Sequence, residues 1–262
     1  MNDELKKFVQ DELKQIIVKI SLPTNFDVEA GFRGTGFFIT TDGYILTAWH
    51  CIKDFIQFGN DILIECCEGE VFPGELDQEK SIEKFDIAVI KIDHQIDKCV
   101  PLLKHIPKTY QGDEVVSVCY SEMYKNQINC FSGEISLVDT YNFVATNVIQ
   151  GPGQSGGPVY HYGANRIIGV VTDTYHADKL RNAGLTAKLD FLFSKWNGLS
   201  GIHEDIAKAW NERLAPFTAK TDASSTTLTE PKIEVNPNVK AKKIGKVITI
   251  GNVNDVKELK IG

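Results

Sequence analysis

Gly151-Pro152-Gly153-Gln154-Ser155-Gly156-Gly157-Pro158 is the stretch whose reading decides the fold. Four glycines and two prolines surround one serine, between strand-like runs at 143–149 and 159–162. Glycines on both sides of Ser155 open backbone conformations closed to other residues and let a substrate approach the main chain. A tight turn of this kind aims two N–H groups, those of Gly153 and Ser155, at one point where an oxyanion would sit. Ser155 is then a candidate nucleophile beside its own oxyanion hole. The same residues also describe a plain glycine-rich β-turn with an incidental serine.

Two further segments bear on that choice. Gly34-Thr35-Gly36-Phe37-Phe38-Ile39, a turn at Thr41-Asp42-Gly43, and Tyr44-Ile45-Leu46-Thr47-Ala48-Trp49-His50-Cys51 read as a β-hairpin that ends in a histidine. A serine hydroxyl is a poor nucleophile until a base takes its proton, and histidine is the usual base. Phe85-Asp86-Ile87-Ala88-Val89-Ile90-Lys91-Ile92 places Asp86 at the start of a short apolar run, as at the beginning of a buried strand. A carboxylate there can accept from an imidazole Nδ1–H and fix its tautomer.

Together the three segments resemble the trypsin-like, chymotrypsin-fold serine proteases, most closely their bacterial HtrA-like branch, over roughly residues 30–195. The order His, Asp, Ser is the order of that family. The resemblance implies an all-β protein of two antiparallel six-stranded β-barrels. It gives catalytic roles to His50, Asp86 and Ser155, and the oxyanion hole to Gly153 and Ser155. It implies a protein or peptide substrate and no metal or other cofactor. Relatives that mature by cutting an activation peptide carry an aspartate just before the serine. Here that residue is Gln154, whose neutral amide cannot form the ion pair, so activation by that route is not expected. The substrate pocket is expected from Ile149, Gln150, Thr172, Asp173, Thr174 and Gly184. Ile149 stands where trypsin has an aspartate, so an apolar side chain before the scissile bond is favoured over Arg or Lys. His161 and His176 flank this region. His94, His105 and His203 are expected at the surface.

Secreted relatives often bridge the cysteine after the histidine to an earlier one. Cys51 is the first of six cysteines, so that bridge cannot form. The charged first residues lack an apolar signal core, and no run approaches membrane-spanning length. Both points lead to an expectation of reduced thiols and a cytoplasmic location without membrane association. A net charge of −7 argues against general nucleic-acid binding, and 42% hydrophobic with 24% charged residues is ordinary for a globular protein.

Along the chain, 3–18 has helical spacing of Leu5, Phe8, Val9, Leu13, Ile16 and Ile17 and reads as an N-terminal helix (1–20). The protease domain is expected over 21–215. Strands at 36–40, 44–49, 61–66 and 86–92 fall in the first barrel, and strands at 114–120, 127–138, 143–149, 157–162, 166–174 and 184–189 in the second. Helices follow at 189–196 and 202–214, with Trp196 and Trp210 packed on the second barrel. A linker is expected at 216–240. The β-like tail at 241–262 repeats Ile-Gly at 244, 250 and 261 and is a candidate partner-binding or self-association element. The combined expectation is an intracellular serine endopeptidase, partner-activated in defence or signalling. The alternative is a catalytically silent binding or scaffold protein on the same fold.

Overall fold

The computed structural model describes residues 2–23, 31–58, 61–124, 127–140, 142–148, 151–174 and 183–223. It contains two closed antiparallel barrels of six strands each, the chymotrypsin fold expected from the sequence.

The first barrel comprises β1 (Ile17–Ser21), β2 (Phe32–Phe38), β3 (Tyr44–Ala48), β4 (Ile62–Cys66), β5 (Val71–Leu76) and β6 (Ile87–Lys91), closed in the order β1-β2-β3-β6-β5-β4. Two of its strands were not read from the sequence. Helix α1 (Asp3–Ile16), capped by Asn2 accepting from the Glu4 N–H, stops two residues short of its expected end. The β-branched run Ile16-Ile17-Val18 favours extended backbone, and β1 begins at once, buried along its whole length. Its Lys19 is buried and pairs with Glu65 at 3.3 Å. β5 carries Pro73 and Gly74, residues that weaken any strand reading. A Cβ at Gly74 would come within 2.8 Å of Ile90 Cγ2, so the barrel closes there only over a glycine.

The second barrel comprises β7 (Glu114–Ser121), β8 (Gln127–Val138), β9 (Asn142–Thr146), β10 (Pro158–His161), β11 (Arg166–Thr174) and β12 (Ala183–Lys188), closed as β10-β11-β12-β9-β8-β7. Its interior is a compact apolar core around Val115, Ile135, Phe143, Val159, Ile168 and Val171. The larger core runs from the first barrel under α1 and out to the C-terminal helices.

Among the described residues the other α-helices are the short α2 (Lys53–Phe58), α3 (Asp190–Lys195) and α4 (Leu199–Ala223). α4 continues through Pro216, so the first residues of the expected linker are helical. Trp210 is fully buried, donates to the Tyr160 hydroxyl at 3.3 Å and stacks on Phe8 of α1. Trp196 meets Tyr44 of the first barrel edge-on. Glu12 of α1 is buried and pairs with both Arg213 of α4 and Lys98 of the inter-barrel connection. The expected tail at 241–262 lies outside the described residues.

Candidate active site

β3 and β6 pair in register Ala48↔Ile87, so the residues just beyond the paired ends, Trp49–His50 and Asp86, meet at the barrel rim. The chain leaves β3 through a 3-10 turn at Trp49–Cys51. The Trp49 N–H donates to the Asp86 carbonyl at 3.1 Å. The Asp86 carboxylate is engaged at both oxygens: the His50 backbone N–H donates to Oδ1 at 2.8 Å, and Nδ1 of the ring lies 2.7 Å from Oδ2. A carboxylate only accepts, so Nδ1 carries the proton, and Nε2 is the basic nitrogen whenever the ring is neutral. Asp86 adopts the left-handed conformation, φ 55°. That is costly for most side chains but within the habit of Asp, and it turns the carboxylate back onto the histidine turn. The hydrogen bond to Asp86, then one to the Cys51 sulfur, raises the His50 pKa from 6.5 to about 10, against the opposing effect of burial.

The Ser155 loop belongs to the second barrel but is fastened to the first. The Thr35 N–H of β2 donates to the Ser155 carbonyl at 2.8 Å, and the Cys51 thiol contacts the same oxygen at 3.6 Å. The segment after the histidine and the segment of the serine therefore meet at one carbonyl. Gly34 makes that approach possible: a Cβ there would lie 2.6 Å from Cys51 Sγ and 2.8 Å from the Ser155 oxygen. Gly156, at φ +86°, is held equally tightly, since a Cβ would fall 1.9 Å from the Thr35 oxygen and 2.2 Å from Thr47 Oγ1. Gln154 is buried where activated relatives carry an ion-paired aspartate, and its side-chain oxygen accepts from the Gly151 N–H at 3.3 Å. Gly153 has φ +89°. Among the described residues neither the Gly153 nor the Ser155 N–H donates to another group.

Of the expected pocket residues, Ile149 and Gln150 lie outside the described residues, as does His176. β11 and β12 pair Thr174↔Gly184 and Asp173↔Leu185, with a bulge between Val171 and Asp173. Thr172 is buried, and its hydroxyl donates to the Leu185 carbonyl across the bulge at 3.2 Å. His161 is buried away from this wall, stacked on Tyr110 and 3.0 Å from Asp113. His203 is also buried, contrary to its expected surface place; its Nδ1 accepts from the Leu102 N–H at 3.2 Å, and desolvation lowers its pKa to about 3.

The sequence motifs do not single out Thr35, Thr47 or Gly34 for these contacts. The Gly-Thr-Gly motif reads as strand and does not by itself show what its side chain and gaps receive. The signal was present: two glycines around a threonine mark a strand segment that something approaches closely.

The trypsin-like peptidase domain family matches residues 34–170, more than half of the chain. The chain belongs to that family, as its two barrels and its His–Asp rim suggest. Among curated relatives it is similar to the probable periplasmic serine endoprotease DegP-like of Pseudomonas fluorescens (29% identical over 157 residues, 56% of this chain and 30% of the relative). It is similar also to the proteins of that name from Chlamydia trachomatis (29% over 150 residues, 53% and 28%) and Chlamydia pneumoniae (30% over 153 residues, 53% and 28%). The chain spans less than a third of the length of these relatives. Their names are periplasmic, which overturns the cytoplasmic expectation. That expectation leaned on unpaired cysteines, and here these are a poor compartment signal. Cys51, Cys66, Cys99 and Cys119 are buried, and burial first of all lifts the Cys66 and Cys99 thiols to about 12, where little reactive thiolate exists.

Proposed function

We propose that this chain is a serine endopeptidase whose triad is His50, Asp86 and Ser155. His50 Nε2 takes the proton of the Ser155 hydroxyl as that oxygen attacks the scissile carbonyl. Asp86 holds the ring in the Nδ1–H tautomer and stabilises the imidazolium that forms. The Gly153 and Ser155 N–H groups bind the oxyanion, a donor pair in which each member is worth about 3–4 kcal/mol elsewhere. The leaving amine takes its proton from His50, and water, deprotonated by the same base, releases the acyl group. The observation that carries this reading is the two-oxygen grip of Asp86 on His50, at 2.8 and 2.7 Å, beside a serine carbonyl anchored on the same turn.

Thr172, Asp173, Thr174 and Gly184, with Ile149 and Gln150, are the proposed pocket walls, and an apolar residue before the scissile bond is the proposed preference. By the names of the relatives, the periplasm is the proposed compartment. The proposed protease unit is 17–215, because β1 closes the first barrel and moves the start back from the expected 21; α1 precedes it, and 241–262 is a proposed association element, which size-exclusion chromatography with and without that tail tests. Cleavage of a peptide library by wild type, and none by Ser155→Ala, is the expected result for the central assignment. A wild type silent from pH 7 to 10, with or without the tail, favours the scaffold alternative.

A further inference from the structure

Thr35 lies in the middle of β2, wholly buried, and each of its polar groups is engaged at the site. Its N–H donates to the Ser155 carbonyl at 2.8 Å, and its own carbonyl accepts from the Thr47 hydroxyl at 2.7 Å. Its hydroxyl donates to the Gly153 carbonyl at 2.8 Å, while the same oxygen accepts from the Tyr120 N–H at 3.0 Å. One side chain of the first barrel thus grips two separate segments of the second.

The consequence follows from amide planarity. A trans peptide is a rigid plane, so fixing its carbonyl fixes the N–H on the opposite side. Three consecutive planes surround the two N–H groups assigned to the oxyanion. The plane carrying the Gly153 N–H is pinned at the Pro152 oxygen by the Glu122 N–H at 3.1 Å. The plane carrying the Ser155 N–H is pinned at the Gln154 oxygen by the Gly157 N–H at 3.0 Å. The middle plane is pinned at the Gly153 oxygen by the Thr35 hydroxyl. Two of these pins are backbone groups; the middle one depends on a side chain. Tyr120, the other segment that Thr35 holds, lies two residues before Glu122, so the hydroxyl also steadies the first pin.

Resting on the serine-peptidase reading above, we propose that the Thr35 hydroxyl is a positioning residue for the oxyanion loop. It couples the barrels so that the Gly153 and Ser155 N–H groups face one point before substrate arrives. Replacing it with an isosteric apolar group leaves the Gly153 oxygen and the Tyr120 N–H buried without these partners and frees the middle plane to turn. The cost falls on the transition state, where the oxyanion is bound, and not on substrate binding.

The test compares wild type, Thr35→Val, Thr35→Ser and Ser81→Ala. Ser81 is a control outside the oxyanion loop: a buried hydroxyl that donates to the Asp77 carbonyl at 2.7 Å and accepts the Val89 N–H. Thr35→Val is expected to lower kcat by about 10²-fold, the scale of losing one oxyanion donor, with KM within about threefold. Thr35→Ser restores kcat to near wild type. Ser81→Ala lowers the thermal midpoint and keeps kcat. If the valine variant does not fold, Thr35→Cys, a weaker donor, is expected to give an intermediate kcat. Wild-type kcat in Thr35→Val or Thr35→Cys, or an equal fall in Ser81→Ala, overturns the inference alone. A wild type that neither cleaves peptides nor reacts with a fluorophosphonate overturns the peptidase reading and this inference with it.

Discussion

The two barrels supply their halves of the site in opposite ways. In the first, His50 and Asp86 are set by neighbouring strands of one sheet: β3 and β6 pair up to Ala48↔Ile87, and the next residues along close the contact. In the second, Ser155 sits on a loop between β9 and β10 whose fastenings reach outside its own sheet, to Thr35, Cys51 and the packing around Gly34. The proposed base is fixed by strand register and the proposed nucleophile by contact between barrels. Damage to the first half should act locally on proton transfer, whereas damage to the second should act through the fit of the two barrels.

The largest expected effect is from Ser155→Ala, which leaves both barrels intact and lowers peptide hydrolysis by about 10⁶-fold. Circular dichroism and a peptide assay check that the fold remains while activity is lost. Asp86→Asn comes next, with a loss of about 10⁴-fold because an amide favours the wrong ring tautomer. Removing the carboxylate also removes the first cause of the raised His50 pKa. The acid limb of kcat/KM is therefore expected above 6.5 in the wild type and lower in the variant; a pH–rate profile reads it. An acid limb at the ordinary histidine value in the wild type would mean that the first-barrel grip is absent in solution.

Gly156→Ala probes the other half. The methyl meets the Thr35 oxygen at a backbone conformation that alanine disfavours, and a loss of about 3 kcal/mol is expected from combined strain and overpacking. Urea unfolding measures it, and activity should fall too, because the nucleophile loop lifts away from β2. A smaller, pH-linked effect returns to the first barrel. His50 has its pKa raised by folding, so the contribution of its pairing to stability is complete below 6.5. It is lost as pH rises toward about 10. Unfolding midpoints over that range should decline in the wild type and less in Asp86→Asn. The smallest effect is at Glu12→Gln, far from either half. It weakens the pairing with Arg213 and Lys98 by about 1–2 kcal/mol, as for a partly exposed ion-pair network. Peptide hydrolysis should not change.

Much of this molecule is legible in its sequence where the pattern is local. The second barrel's strands alternate or run apolar between clear turns, and their bounds fall close to expectation. β1 is less visible because its Ile-Val-Lys-Ile run continues the apolar spacing of α1, and only the β-branched residues mark the change. β5 is hidden by Pro73 and Gly74. At the site, His50, Asp86 and Ser155 each stand in a local motif. The role of Thr35 is not local: it depends on Gly153 and Tyr120, more than eighty residues away along the chain. Pairing across the barrels leaves no periodicity to read. Cysteine usage misled the reading of location for a related reason, since burial and not compartment keeps most of these thiols quiet.

Adduct mapping tests the pairing of Ser155 with His50 most directly. The full-length protein is treated with a fluorophosphonate, digested and sequenced by mass spectrometry. One phosphonyl group on Ser155 is expected, formed faster as His50 loses its proton, and none in His50→Ala. An adduct elsewhere, or labelling of Ser155 that is indifferent to His50, would contradict that pairing.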